Sequence, residues 1–178
     1  GLAFKCAFNM TSTFERKHYY YQDLPLGYQI TQKDLPIAYG GHLLFKTKGS
    51  NKISRVGIDR IQLEQDSGQS IHRGKGDSTW VNLNRAGSGL LEIVFAPELE
   101  NADQVKEVVH TVQAIVRQTG ICDGNMEAGS MRVDMNVSLS KGQDALGTKV
   151  ELKNLNSLAR LAQAVDFEGR GHLGTLTV

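Results

Sequence analysis

Met131-Arg132-Val133-Asp134-Met135-Asn136-Val137-Ser138-Leu139 alternates apolar and polar side chains without a break. A period of two is what a strand needs when one face lies in a core and the other meets water. Lys149-Val150-Glu151-Leu152-Lys153 repeats the alternation, and the intervening Ser140-Lys141-Gly142-Gln143-Asp144-Ala145-Leu146-Gly147 is rich in turn formers. The two runs predict an antiparallel hairpin. Its polar face carries Asp134 and Glu151, with Arg132, Lys149 and Lys153 around them.

Working outward, Asn101 to Gly120 is the clearest helix, with Val105, Val108, Val109, Val112, Ile115 and Thr119 on one stripe. Asn101 and Gln104 form a capping-box-like start and Gly120 a stop. A second helix is expected from about Ser157 to Glu168, with Leu158, Leu161 and Val165 on one face. Val56 to Leu63 reads as a strand whose apolar phase slips near Arg60, which predicts a bulge. Stretches 49–55 and 72–78 read as exposed loops. The class is α+β with a mostly antiparallel sheet, and no internal repeat or long linker divides it, so one domain is expected.

The ends read differently. Gly1-Leu2-Ala3-Phe4 has no initiator Met and no targeting features, so the chain reads as a fragment opening inside an element. Gly169, Gly171 and Gly174 make a helix expensive to continue, and 169–178 reads as a divergent tail.

With 40% hydrophobic and 22% charged residues, the 178-residue chain has the composition of an ordinary folded protein. Twenty Lys and Arg against nineteen Asp and Glu leave a charge of +1, so no general footprint for a polyanion is present, and any such partner must be met locally. Cys6 and Cys122 are too few for a disulfide scaffold or a four-ligand zinc site and read as plain thiols. The longest apolar run, Leu90 to Ala96, is interrupted by Glu92 and falls far short of the ~20 residues of a bilayer span. A soluble protein with no membrane partner is expected.

Glu92 is the most unusual residue, because Leu90-Leu91 and Ile93-Val94-Phe95 surround it. A carboxylate there must be paired, protonated or bound to a metal; Arg85 or another base is one partner, a cation the other. Glu64, Asp66, Glu92, Asp134 and Glu151 lie at ends or polar faces of separate strands. Mg²⁺ takes oxygen ligands of this kind, with waters and phosphates completing its shell, so the set could hold one or two Mg²⁺ under ATP, or be solvated charge. Arg16-Lys17-His18-Tyr19-Tyr20-Tyr21 leads to a Pro25 and Gly27 turn. Bases there could hold phosphates while tyrosines stack on a nucleotide or tRNA end, the alternative being an edge hairpin with half-buried tyrosines. Gly68 and Gly74-Lys75 do not make a phosphate loop, because the spacing is wrong and Gly76 follows the lysine. His18, His42, His72, His110 and His172 have no Cys or Ser partner at a nucleophile spacing.

Four segments in order are more specific: Phe14 through Gln32; Asn84-Arg85-Ala86-Gly87 through Leu91-Glu92-Ile93-Val94; Asn125-Met126-Glu127 with Gly129 through Asp134; and Glu151-Leu152-Lys153-Asn154-Leu155-Asn156-Ser157. Over about residues 1–168 the chain resembles the GatB family, B subunits of glutamyl-tRNA(Gln)/aspartyl-tRNA(Asn) amidotransferases. The resemblance implies an antiparallel cradle of the glutamine synthetase and guanido kinase type, with helices on one face. It implies ATP-dependent phosphorylation of the tRNA-bound glutamate side chain, which ammonia from the glutaminase A subunit then attacks to give glutaminyl-tRNA(Gln). Partners are the A and C subunits and the acceptor end of misacylated tRNA; cofactors are ATP and Mg²⁺. Glu64 and Glu92 match metal-site carboxylates, Asp134 and Glu151 a second acidic cluster near the nucleotide and tRNA end, all four with catalytic and metal roles. Lys17, Tyr20, Asp23 and Gln29 fall on the motif lining the pocket.

Departures also carry weight. Bacterial members show two acids where Glu64-Gln65 stands and a proline where Gly89 stands; Gln65 and Gly89 resemble the mitochondrial branch, which implies the mitochondrial matrix, with the bacterial cytoplasm as the alternative. The family's first strand bears a His-x-Glu metal motif that these residues do not contain, and its C-terminal tRNA-gripping domains are likewise absent after about Glu168. The reading is therefore a partial catalytic domain over 1–168, expected to be silent by itself. The alternative is a non-catalytic scaffold fragment that assembles with the other subunits; a stand-alone RNA-binding module is weakest, given the charge of +1.

Overall fold

The computed structural model describes residues 1–72, 78–138, 148–155 and 173–177. In chain order a 3₁₀ turn (Leu2–Phe4) precedes β1 (Ala7–Phe8), β2 (Glu15–His18), β3 (Tyr28–Thr31), β4 (Ala38–Tyr39), β5 (His42–Lys46), β6 (Ile53–Gln65), β7 (Gln69–His72), β8 (Thr79–Asn82) and β9 (Gly89–Phe95). Helix α1 (Ala102–Gln118) follows, then β10 (Val133–Ser138), β11 (Lys149–Leu155) and β12 (Leu173–Thr177). This is an α+β protein of mostly antiparallel strands. Among the described residues no helix is long and apolar enough to cross a membrane.

The chain folds into two compact units that interleave in sequence, Gly1–Ala7 with Gly40–Asp59 and Ile93–Val178 in one, Phe8–Tyr39 with Arg60–Glu92 in the other. No linker is needed for this, since β6 and β9 each give residues to both units.

In the first unit, β10 and β11 pair antiparallel with Asn136 opposite Glu151, Val137 opposite Val150 and Ser138 opposite Lys149. Val133, Met135 and Val137 are buried, while Asp134 and Asn136 on the other phase are half-buried. The strand starts at Val133, two residues later than the alternation predicts, because Met131 is already buried in a bend. The register is irregular between Val133 and Met135, around Asp134. The other edge of β10 pairs with β12, Val137 facing Leu173 and Asp134 facing Thr177, and Thr177 faces Val94 of β9. The stretch read as a tail therefore supplies a strand, for which the alternating Leu173, Thr175 and Thr177 are well suited. The helix expected over 157–168 and the turn over 140–147 lie outside the described residues.

α1 forms as its stripe predicts. Asn101 caps it, its side chain accepting Gln104 N–H at 3.0 Å, and Gln104 Oε1 accepts Glu100 N–H in return at 2.9 Å. Val105, Val108, Val109 and Val112 are fully buried, and Gly120, at φ 70°, takes the left-handed turn beyond the last residues. β5 and β6 form a hairpin from His42 opposite Gly57 to Lys46 opposite Ile53. Of the loop expected over 49–55, Ile53, Ser54 and Arg55 are thus strand, because Leu44, Phe45 and Lys46 offer them a ladder.

In the second unit β2 pairs with β3, β7 with β8, and β4 with β6 at Ala38 opposite Ile61 and Tyr39 opposite Arg60. The phase slip near Arg60 is real: Val56 and Ile58 are buried, then Ile61 and Gln62. It falls where β6 changes partner from β5 to β4, and its pairings with those two strands keep one register across the change, so the slip coincides with a change of neighbour on that edge. His72 belongs to β7 rather than to a loop, and 73–77 lie outside the described residues.

Candidate functional site

Arg60, Gln62 and Glu64 alternate along the second half of β6, and the period of two puts them on one face. β9 is the neighbouring strand, and it brings Glu92 alongside. Gln62 Nε2 donates to Glu64 Oε1 at 2.7 Å and to Glu92 Oε2 at 2.8 Å, while Arg60 Nε donates to Gln62 Oε1 at 2.6 Å. Thr31, at the end of β3, donates its hydroxyl to Glu64 Oε1 at 2.7 Å.

Burial, and after it the hydrogen bond and negative charge of Glu64, push the Glu92 carboxyl up to about 7, against the pull of Gln62 and Arg60. Two carboxylates this close resist joint ionisation. Of the outcomes expected for Glu92, the geometry gives pairing through a shared amide, and the basic charge acting on it is Arg60. Arg85 makes its ion pair with the buried Asp66, Nε to Oδ2 at 3.0 Å.

No three or more His, Cys, Asp or Glu among the described residues are grouped to hold a metal. Glu64 and Glu92 nevertheless suit a Mg²⁺-type cation, which takes one or two protein carboxylates and leaves the rest of its shell to water and phosphate. Burial and, after it, the neighbouring Glu64 raise the Glu92 carboxyl, and a cation between the two acids would relieve the repulsive part of that cost.

The β2–β3 hairpin holds the other residues expected to line the pocket. Gln29 Nε2 donates to the backbone carbonyl of Gln65, beside Glu64, and Gln65 Oε1 accepts Ile30 N–H at 3.4 Å. Asp23 Oδ2 accepts the Ser70 hydroxyl at 2.9 Å, and Gln22 donates to Ser70 Oγ at 3.2 Å. Asp23 and Gln29 therefore join this hairpin to residues 65 and 70. Lys17 is exposed, its Nζ 5.9 Å from the Tyr19 ring centroid, and Tyr20 is 88% exposed with its ring edge close to Gly27. Asp134 and Glu151 belong to the other unit, on the polar face of β10 and β11, where Lys153 Nζ lies 3.3 Å from Glu151 Oε1.

Sequence reasoning singled out Glu64 and Glu92, which the structure brings together through Gln62, but not Arg60, Gln62 or Thr31. The signal for two of them was present as Arg-x-Gln-x-Glu at a strand's spacing, ending on a candidate ligand.

Comparison with known proteins places this chain in a family. The profile described as the GatB/GatE catalytic domain matches residues 1–176. Relatives named as B subunits of aspartyl/glutamyl-tRNA(Asn/Gln) amidotransferases include those of Beijerinckia indica subsp. indica, 43% identical over 176 residues, Rhodopseudomonas palustris strain BisB18, 44% over 176, and Rhizobium etli, 42% over 180. Each alignment covers 99% of this chain but only 35 or 36% of the relative, so the chain spans about a third of their length. The match runs into β12 and includes most of the stretch read as a tail. The chain belongs to the GatB/GatE catalytic domain family.

Proposed function

We propose that this chain is the acid-bearing part of the B subunit of a tRNA-dependent amidotransferase that converts glutamyl-tRNA(Gln) to glutaminyl-tRNA(Gln). The observation that carries the reading is the Glu64 and Glu92 pair, joined through Gln62 in a member of this family. A glutamate side chain is a poor electrophile until an oxygen is made a leaving group. Its carboxylate attacks the γ-phosphorus of ATP and ADP departs; ammonia then attacks the acyl carbon, phosphate leaves and a proton is lost.

For that chemistry Glu64 and Glu92 would hold Mg²⁺, which supplies charge neutralisation for the phosphates when bound. Gln29 and Asp23 tie the β2–β3 hairpin beside the pair, and Lys17 and Tyr20 offer an exposed charge and ring to the nucleotide or the tRNA end. In the same reading Asp134 and Glu151 form the second acidic cluster. The A subunit supplies ammonia, the C subunit completes the assembly, and the fold is the glutamine synthetase and guanido kinase type of cradle. Gln65 and Gly89 support the mitochondrial matrix as its location.

The test is ATP-dependent amidation by the full-length protein in its complex. Glu92→Gln is expected to lower the rate at least about 100-fold. Unchanged amidation would remove Glu92 from the site and favour the scaffold role.

A further inference from the structure

We infer that Gln62 is a positioning residue for the acid pair and that Arg60 sets the direction of its amide. The inference rests on the reading of Glu64 and Glu92 as cation ligands. Gln62 is only 4% exposed, so its polar atoms must be satisfied by protein. A guanidinium only donates, and with Arg60 Nε at 2.6 Å the amide oxygen must face it. The NH₂ end then has no choice but to face the carboxylates.

The hydrogen count closes. Two amide hydrogens meet two short acceptors, Glu64 Oε1 at 2.7 Å and Glu92 Oε2 at 2.8 Å. Thr31 Oγ1 is a longer neighbour at 3.2 Å, and its own hydrogen goes to Glu64 Oε1. A reversed amide would set its oxygen against both carboxylates and its hydrogens against the guanidinium, repelling at each end. The amide is thus a one-way bracket spanning β6 and β9. It fixes one oxygen of each carboxylate, Glu64 Oε1 and Glu92 Oε2, and so sets how the two acids face one another. Arg60 acts on the pair at one remove, through Gln62, as partners outside a metal's own ligands commonly do.

The experiment uses the full-length protein in its complex, with Mn²⁺ binding followed by electron paramagnetic resonance beside amidation as a function of Mg²⁺. Gln62→Leu is expected to weaken Mn²⁺ binding roughly 10-fold and to raise the Mg²⁺ needed for half-maximal rate in parallel, with a smaller effect on kcat at saturating Mg²⁺. Arg60→Met should move both in the same direction, Arg60→Lys should restore most of the loss, and R60M with Q62L should bind no more weakly than Q62L alone. Arg60→Met leaves the buried amide in place and carries the prediction if Gln62→Leu does not fold. Unchanged Mn²⁺ affinity in a folded Gln62→Leu protein, or additive losses in the double variant, would overturn the inference. Glu64→Gln with Glu92→Gln is the control: Mn²⁺ affinity unaffected by that pair of changes defeats the cation reading, whereas affinity lost there but kept in Gln62→Leu defeats only the positioning role.

Discussion

Glu64 and Glu92 take their hydrogen bonds from the same amide nitrogen, at 2.7 and 2.8 Å, so the two acids share one donor group and feel one another's charge. Burial first, and then the hydrogen bond and charge of Glu64, hold Glu92 up to about 7, above its ordinary 4.5, against the opposing pull of the Gln62 amide. Between those values the folded, metal-free protein binds a proton that the unfolded chain has released. Its stability therefore falls as pH rises through that window. Discounted for partial exposure, the loss between pH 4.5 and pH 8 is ~2 kcal/mol. Urea unfolding in chelator should show the slope in the wild-type protein and its removal by Glu92→Gln; a slope that survives the substitution assigns it to another group.

Asp66 is 5% exposed and pairs with Arg85, whose side chain is half in solvent. Its backbone is engaged too, N–H to Ser88 and carbonyl to Gly87, both at 2.8 Å. Arg85→Met leaves a buried carboxylate short of a cation and should cost ~2 kcal/mol, discounted for the exposed partner. Asp66→Asn combined with Arg85→Met should cost less than the sum of the two changes, as read by thermal unfolding.

Helix α1 begins on a side-chain cap. Asn101→Ala removes the acceptor for Gln104 N–H and should destabilise by ~1 kcal/mol, whereas Asn101→Asp should be nearly neutral. Equal melting temperatures for Asn101→Ala and wild type would show that the cap contributes nothing.

Two glycines separate backbone strain from collision. Gly41 has φ 94°, and a Cβ there would lie 2.5 Å from the Phe4 carbonyl oxygen; Gly49 has φ 81° with open space around it. Gly49→Ala should cost ~1 kcal/mol from conformation alone. Gly41→Ala should cost clearly more, because backbone must move, and equal losses would place Phe4 elsewhere.

Where a residue's role depends on its own chain neighbours, the sequence was readable. The valines of α1 and the alternation of Val133, Met135 and Val137 each declare a buried face, and the structure buries them. Glu92 announced itself as a charge in an apolar run. Gln62 did not, since an uncharged amide between Ile61 and Leu63 is compatible with any strand, and its importance comes from Arg60 on one side and Glu92 on another strand. The change of partner in β6 registered only as a phase slip. β12 was hidden because three glycines argue against a helix without arguing for a strand whose partners lie far away in sequence.

The interleaving of the two units also sets an order of events at the ribosome. The acid-pair unit ends at Glu92, while the other still awaits everything from Ile93 onward. Glu92 is thus both a member of the carboxylate pair and the last residue its unit needs, so the pair can close only when that unit's chain is complete. The hairpin of β5 and β6 has meanwhile emerged ahead of α1 and β9 through β12, its eventual companions, and must wait for them. Synthesis from the N-terminus favours building the acid pair first and the remaining scaffold second.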